Sequence, residues 1–224
     1  MTICCGGKVV LFGSKAEEPG SLPAFVAEAP APDQALWRLI EGNAAFIEGR
    51  AAPINSREHL KKLAAAQHPF AVIVGCADSR VSAQTLFNQK LGQLFVVRVA
   101  GNTVDRVALG SIAYGVSVLG CSLVVVLGHA KCGAVSAAVD MVENGADYQG
   151  AIAEMVLPIV PAVIAAKTRA PHDLIDASVR ENIRRVADGL RNAEPAITAA
   201  LDAGAVRIVG AHYELETGEV EFFT

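Results

Sequence analysis

Short apolar runs that alternate with helix-patterned stretches are the feature that most restricts the fold of this 224-residue sequence. The runs lie at 70–74, 94–99 and 123–127. Strands that are separated by helix-length segments predict a parallel sheet with right-handed crossovers. The final segment, "AVRIVGAHYELETGEVEFF", contains two strand-like runs around "ETGE", which predicts an antiparallel hairpin at one edge of the sheet.

The remaining sequence carries the pattern of helices that would flank this sheet. Apolar residues recur at helical spacing in "QALWRLIEGNAAFIEGR", which follows a candidate N-cap at Asp33, and "SREHLKKLAAAQ" predicts a second, shorter helix. Further helical periods cover 134–144, 151–166 and 174–191. The predicted fold class is α/β, with a central and mostly parallel β-sheet, an antiparallel C-terminal edge hairpin, flanking helices and an N-terminal helical arm.

Length and composition favour a single folded domain with one appendage. Residues 1–33 are rich in Pro, Ala, Gly and Glu without a sustained period, which predicts a flexible arm, and 34–224 form the predicted domain. The five cysteines are odd in number and irregularly spaced, which favours reduced thiols over a disulfide framework. Cys4 and Cys5 are either an incidental pair in the arm or reactive, lipidated or metal-binding thiols.

Charge and hydropathy exclude several classes of partner. The net charge is −4 and the Lys and Arg residues are scattered, so the sequence predicts no nucleic-acid surface and no anionic-membrane surface. The apolar stretch 151–166 carries Glu154 and two prolines, and it falls short of the roughly 18 uninterrupted apolar residues of a membrane span, so it predicts a packed, kinked helix. The start of the chain shows no secretory leader, which predicts a cytoplasmic protein, although a removed leader would leave the same sequence.

Two of the predicted strands end in residues that can bind a metal. The first ends at Gly75 and Cys76, and the third ends at Gly128 and His129, with Cys132 three residues later at the start of a predicted helix. Because ligand sites gather at the carboxyl ends of parallel strands, we expect the two thiols and the imidazole to converge. This set suits Zn²⁺, and three protein ligands leave a fourth position open, as in a catalytic site.

A carboxylate and a guanidinium follow the first of these cysteines. Asp78 could bind the metal as a fourth ligand, or it could pair with Arg80, whose planar fork favours a bidentate contact with a carboxylate. Each residue alone also fits a plain structural role, as a buried thiol, a packed imidazole or a surface ion pair. The cysteine and histidines that lack such company are predicted to be structural or solvated: His59, His68, Cys121, His172 and His212.

"CADSR" at 76–80 and "HAKCG" at 129–133 resemble the paired signature of the β-class carbonic anhydrases. The segments "LIEGNAAF", "LGQLFVVRVAGN", "LGSIAYGVSVLG" and "IVGAHYELETGEV" are similar to this family too, so the resemblance covers roughly residues 35–222. It implies reversible hydration of CO2 to bicarbonate and a proton, through hydroxide on one zinc ion per chain. The implied zinc ligands are Cys76, His129 and Cys132, and the implied catalytic dyad that orients the hydroxide is Asp78 and Arg80.

The resemblance also implies a substrate pocket and an assembly. Gln67 matches a glutamine that donates a hydrogen bond to substrate, Phe95 and Tyr114 match residues that line a small apolar CO2 pocket, and the N–H of Gly133 would face bicarbonate. In the family this pocket is completed across a dimer interface. The resemblance therefore implies a homodimer that is inactive as a single protomer and that often assembles further to tetramers or octamers.

One departure from the family pattern bears on regulation and subtype. Ile73 stands where members with an inhibitory bicarbonate site carry Trp, whereas Arg98 and Tyr213 match the other two parts of that site. Together with Gln67, this departure favours the open, plant-like subtype. Two alternatives keep the metal site: a hydrolase of carbonyl sulfide or carbon disulfide, and a non-catalytic zinc-bearing interaction protein that docks through the arm.

Overall fold

The computed structural model describes residues 29–50 and 53–223, and these form a five-stranded sheet between two layers of helices. The strand order is β2-β1-β3-β4-β5, with β1 to β4 parallel and β5 antiparallel to β4. The predicted α/β class and the edge hairpin are therefore confirmed. The strands are β1 (Ala71–Gly75), β2 (Leu94–Arg98), β3 (Leu123–His129), β4 (Arg207–Tyr213) and β5 (Val220–Phe223).

The predicted arm falls largely outside the described residues, as do Cys4 and Cys5. The α-helices are α1 (Pro32–Ile47), α2 (Arg57–Leu63), α3 (Ala83–Leu86), α4 (Arg106–Ser117), α5 (Gly133–Asn144), α6 (Gly150–Val156), α7 (Val160–Lys167), α8 (Leu174–Leu190) and α9 (Pro195–Asp202). Short 3-10 turns cover Ala100–Asn102 and Leu157–Ile159.

The first helix begins earlier than the sequence pattern predicts. Its first residue is Pro32, so Asp33 lies inside the first turn and is not the N-cap. Proline suits this position because its missing N–H would be unpaired there in any case, and its φ is already helical. The Asp33 carboxylate instead accepts a hydrogen bond of 2.7 Å from Arg207, at the start of β4.

Continuous apolar runs are explained by the position of β1 and β3 in the middle of the sheet. Every residue of both strands is buried, because helices cover both faces. On one face the core includes residues of α4, α5, α7 and α8, and on the other it includes residues of α1 and α3. This arrangement leaves the carboxyl ends of β1 and β3 side by side at one edge of the core.

The stretch Gly150–Lys167 is long and apolar enough to cross a membrane by length and composition, although the sequence pattern indicated that it falls short. It folds as α6, a 3-10 turn that contains Pro158, and α7. Its residues Val156, Ile159 and Val163 are fully buried in the core. This packing confirms the prediction of a packed helix with a kink.

Helix α8 lies directly on the backbone of the sheet. A Cβ at Gly128 in β3 would lie 2.6 Å from a methyl carbon of Ile183, and a Cβ at Gly210 in β4 would lie 2.8 Å from another. A side chain at either position would push α8 away from the sheet. The two glycines therefore fix the distance between α8 and the strand that ends at His129.

Candidate metal centre

The three predicted metal ligands converge at the carboxyl ends of β1 and β3. These strands are neighbours in register, with Gly75 opposite Leu127, so Cys76 follows beside the end of β3. The two Sγ atoms and a ring nitrogen of His129 all lie within 4.8 Å of one another, and all three residues are buried. The Sγ atoms of Cys76 and Cys132 are 4.0 Å apart. Tetrahedral zinc with sulfur ligands needs a sulfur–sulfur separation of about 3.8 Å, so the pair is spaced to fit it.

The Cys76 sulfur is held by the backbone around it. It accepts hydrogen bonds from the N–H of Asp78 at 3.4 Å and from the N–H of Gly101 at 3.3 Å. The hydrogen bond with Cys132 is the largest contribution that lowers the pKa of Cys76, and these amides lower it further, whereas burial acts in the opposite direction. Cys76 is therefore prepared to be a thiolate, the form that binds a metal.

The pKa of Cys132 shifts in the opposite direction, upward. The same hydrogen bond to Cys76 raises the pKa of Cys132, and burial raises it further. The N–H groups of Ala134 and Val135, in the first turn of α5, partly offset this rise. Two adjacent thiolates repel each other, so a divalent cation between them is the group that would allow both to lose their protons.

His129 presents an unused nitrogen to the two sulfurs. Its Nδ1 lies 2.9 Å from the carbonyl oxygen of Ala130, and because a carbonyl can only accept, Nδ1 carries the proton. Nε2 therefore carries the lone pair. Among the described residues this nitrogen has no hydrogen-bond partner, although His129 is fully buried. An orphaned imidazole nitrogen that faces two thiols, with its other nitrogen held by a carbonyl, fits a metal ligand.

Asp78 and Arg80 form a bidentate pair beside these ligands. The Arg80 Nε donates to Asp78 Oδ1 at 2.9 Å and the Arg80 Nη2 donates to Oδ2 at 2.7 Å. The Arg80 backbone N–H also donates to Oδ1 at 2.9 Å. Side-chain hydrogen bonds from Arg80 are the main reason that the pKa of Asp78 lies far below its usual range. Asp78 Oδ2 is also 3.8 Å from His129 Nε2, so the carboxylate borders the ligand set while Arg80 holds it.

Arg98 fixes the backbone that carries Cys76 and Asp78. It is the last residue of β2, and it donates from Nε to the carbonyl of Cys76 at 2.9 Å and from Nη2 to the carbonyl of Asp78 at 2.6 Å. The sequence pointed to Arg98 only through its match to an inhibitory site. The sequence feature that could have indicated this structural role is a single charged residue at the end of an apolar strand.

Gly133 directly follows the ligand Cys132, at the start of α5. Cys132 is the N-cap of α5 and Gly133 is its first helical residue. A Cβ at Gly133 would meet no atom within 4 Å, so this side of the helix start is open. The first N–H groups of a helix have no partner within it and favour negative charge. The position suits an anion beside the ligand set.

Comparisons with known proteins decide the family. A model of the carbonic anhydrase family matches residues 71–220, a range that contains the ligand set and the Asp78–Arg80 pair. The chain belongs to the β-class carbonic anhydrases. It is 40% identical to carbonic anhydrase 2 of Mycobacterium tuberculosis over 186 residues, which cover 82% of this chain and 89% of the relative. It is 39% identical to a carbonic anhydrase of Mycolicibacterium smegmatis over 189 residues, which cover 84% and 91%.

Solved structures of β-carbonic anhydrases share the fold. The β-carbonic anhydrase CcaA superposes with a TM-score of 0.65 at 27% identity, covering 84% of this chain and 95% of that one. The Coccomyxa β-carbonic anhydrase, solved in complex with acetazolamide, also gives 0.65 at 27% identity, covering 83% and 85%. The plant-like subtype that Gln67 and Ile73 favour stays a prediction.

Three of the residues that the carbonic anhydrase resemblance assigns to the substrate pocket lie far from the metal centre of their own chain. Phe95 pairs in register with Val72, which lies four residues before Cys76. At about 3.3 Å per residue along the strand, Phe95 is therefore about 13 Å from Cys76. The ring of Tyr114 is 6.1 Å from that of Phe95. Gln67 is exposed and precedes β1, at the amino end of the strand. The structure therefore separates the predicted pocket residues from the ligand set within one protomer.

Proposed function

We propose that this β-carbonic anhydrase catalyses the zinc-dependent, reversible hydration of CO2 to bicarbonate and a proton. The observation that carries the proposal is the convergence of Cys76, His129 and Cys132 beside a carboxylate that Arg80 holds in place. A zinc ion held by these three ligands would supply a Lewis acid that lowers the pKa of water at its open position.

In this proposal the protein's own residues orient the nucleophile. The Asp78 carboxylate accepts a hydrogen bond from the attacking oxygen, which turns the oxygen's lone pair toward the carbon of CO2. Arg80 occupies both oxygens of Asp78 and so keeps the carboxylate from filling the open position itself. Arg98 fixes the loop on which Asp78 lies.

Negative charge moves onto the substrate oxygens as the new carbon–oxygen bond forms. The N–H of Gly133, at the start of α5 and directly after Cys132, would be a donor for that charge. Bicarbonate then leaves and is replaced by water, and the proton released from that water passes to buffer. The sum is CO2 and water to bicarbonate and a proton, with no other reactant.

We also propose that Gln67, Phe95 and Tyr114 complete the pocket of a second copy. They cannot reach their own centre, and β2, which carries Phe95, is an edge strand of the sheet. Tyr114 is 42% exposed, which leaves its ring accessible to another protomer. A homodimer would bring the amino end of one sheet to the carboxyl end of the other. Larger assemblies would be built from such dimers.

Mixing two inactive variants tests this shared pocket. We expect Gln67→Ala and Asp78→Asn to be impaired as pure proteins. In a mixed dimer, one site then carries both defects and the other carries neither. Random reassortment of equal amounts therefore restores about a quarter of the wild-type sites. The measurement is CO2 hydration after the two proteins are dissociated and reassembled together. Activity that stays at the average of the two pure variants would place Gln67 outside a shared site.

The pH dependence follows from the ligand set. Two thiolates donate more negative charge than imidazoles do, so the nucleophilic water should ionise above the value of about 7 known for three histidines. We expect CO2 hydration to increase from about pH 7 to about pH 8.5. Asp78 does not cause this increase. Because Arg80 holds its pKa far below the usual range, it is ionised throughout this interval and loses its acceptor role only in strong acid. A flat profile over this range would contradict the proposal.

A further inference from the structure

A buried asparagine on α8 is connected to the metal centre through one glycine. Asn182 is 3% exposed, and its Nδ2 donates to the carbonyl of Gly101 at 2.9 Å. The N–H of Gly101 in turn donates to Cys76 Sγ at 3.3 Å. These two groups lie on opposite sides of the Gly101 Cα. Two hydrogen bonds in series therefore connect α8 to a proposed zinc ligand.

Gly101 is a position that needs external support. Its φ of 68° and ψ of 19° lie in the left-handed region, which glycine adopts readily and other residues rarely do. A Cβ there would also lie 2.6 Å from a methyl carbon of Ile159. A stiffer residue cannot therefore replace glycine. The hydrogen bond from Asn182 supplies the constraint that glycine itself lacks.

The helix that carries Asn182 is fixed relative to the ligands. The next residue, Ile183, contacts Gly128 so closely that a Cβ there would not fit, and Gly128 directly precedes His129. Asn182 therefore has a fixed position with respect to both the end of β3 and the Gly101 turn. A change of its side chain would remove one hydrogen bond without moving the helix.

We propose that Asn182 is a positioning residue for the metal centre. It holds Gly101 so that the Gly101 N–H points at the Cys76 sulfur, which stabilises the thiolate and retains the metal. This inference rests on the proposed function in one respect, the assignment of Cys76 as a zinc ligand. Replacement of a residue that orients a metal ligand without binding the metal itself typically lowers metal affinity by about 10-fold to 100-fold.

The test compares Asn182→Leu with a variant of a matched buried asparagine. Leu has nearly the size of Asn but has no group that could donate to the Gly101 carbonyl. Asn43 is a control of equal burial on the other face of the sheet, where it donates to the carbonyls of Leu86 and Gly218. Zinc affinity is measured by competition with a chromophoric chelator. The thiolate-to-cobalt absorption band is recorded after substitution with Co²⁺.

We expect Asn182→Leu and Asn182→Ala to lose about 10-fold to 100-fold in zinc affinity and to shift the thiolate-to-cobalt band. Asn43→Ala should lower the unfolding temperature but leave the zinc affinity and the thiolate-to-cobalt band unchanged. Asn182 variants that are less stable yet keep wild-type affinity and spectrum would overturn the proposal. Failure of both Asn182 variants to fold, while Asn43→Ala folds, would also overturn it, because the role of Asn182 would then be in the fold alone.

These readouts separate the inference from the proposed function. Neither of them requires CO2 hydration. A wild-type protein that binds zinc through thiolates but does not hydrate CO2 would contradict the proposed function and leave the role of Asn182 open to the same measurement. A wild-type protein with no thiolate-to-cobalt band would instead contradict the ligand assignment on which both depend.

Discussion

Cys132→Ser should remove zinc from the protein and lower CO2 hydration by at least about a thousandfold, because a neutral hydroxyl is a poor substitute for a thiolate ligand. This substitution is chosen to remove one metal ligand without disturbing the helix that follows it. Cys132 is the N-cap of α5, and serine is among the best N-cap residues, so the helix should still begin at Gly133. Metal content by atomic emission and stopped-flow CO2 hydration are the two measurements.

Cys121 is the matched control for this substitution. It is another buried thiol, its Sγ donates to the carbonyl of Pro69 at 3.4 Å, and burial raises its pKa to about 12. Cys121→Ser should therefore keep its zinc and its activity, with some loss of stability. A Cys132→Ser protein that retained zinc and turnover at the level of Cys121→Ser would remove Cys132 from the ligand set.

Asp78→Asn should lower kcat by about 100-fold to 10,000-fold while zinc stays bound. The amide keeps the size of the carboxylate, but it loses the negative charge that accepts the hydrogen bond of the nucleophile. Its NH2 group also opposes the donors of Arg80. The measurement is stopped-flow CO2 hydration at saturating substrate, with zinc counted in the same sample.

An ion pair elsewhere in the chain provides the control for Asp78. Asp176 accepts a hydrogen bond of 2.9 Å from Arg180, one turn further along α8. Asp176→Asn should leave kcat unchanged, since that pair lies outside the proposed machinery. Equal effects of the two substitutions would show that Asp78 acts on folding. Arg80→Gln leaves Asp78 charged but removes both guanidinium hydrogen bonds, so that only the backbone N–H of residue 80 still holds it. It should also reduce kcat, because the less restrained carboxylate can compete for the open metal position.

The parts of this fold that sequence could predict are those that follow from local pattern. The strands β1 and β3 are buried on both faces, so they appear as unbroken apolar runs, and the ligands follow directly where those runs end. Cys76 and His129 were predictable for this reason. The start of α1 was predicted two residues too late, because Asp33 has the chemistry of an N-cap but forms an ion pair with Arg207.

The supporting contacts of the centre were not predictable in the same way. Asn182 and Gly101 are 81 positions apart, and no local pattern indicates that an asparagine in an amphipathic helix faces a particular carbonyl. In the sequence, Arg98 is likewise only a charged residue at the end of a strand. Its contacts with the carbonyls of Cys76 and Asp78 are visible only in the folded structure. The distance between Phe95 and Cys76 depends on the register of β2 against β1. That register is determined by the packing of the whole sheet and cannot be taken from either strand alone.

The measurement that tests the central claim most directly is stopped-flow CO2 hydration by the purified protein at about pH 7 and about pH 8.5, with zinc counted in the same sample. The account predicts about one zinc per chain and fast hydration that increases with pH. Protein that is loaded with zinc but inactive toward CO2 at both pH values would contradict it. Turnover of carbonyl sulfide by that same sample would then assign the site to a different substrate.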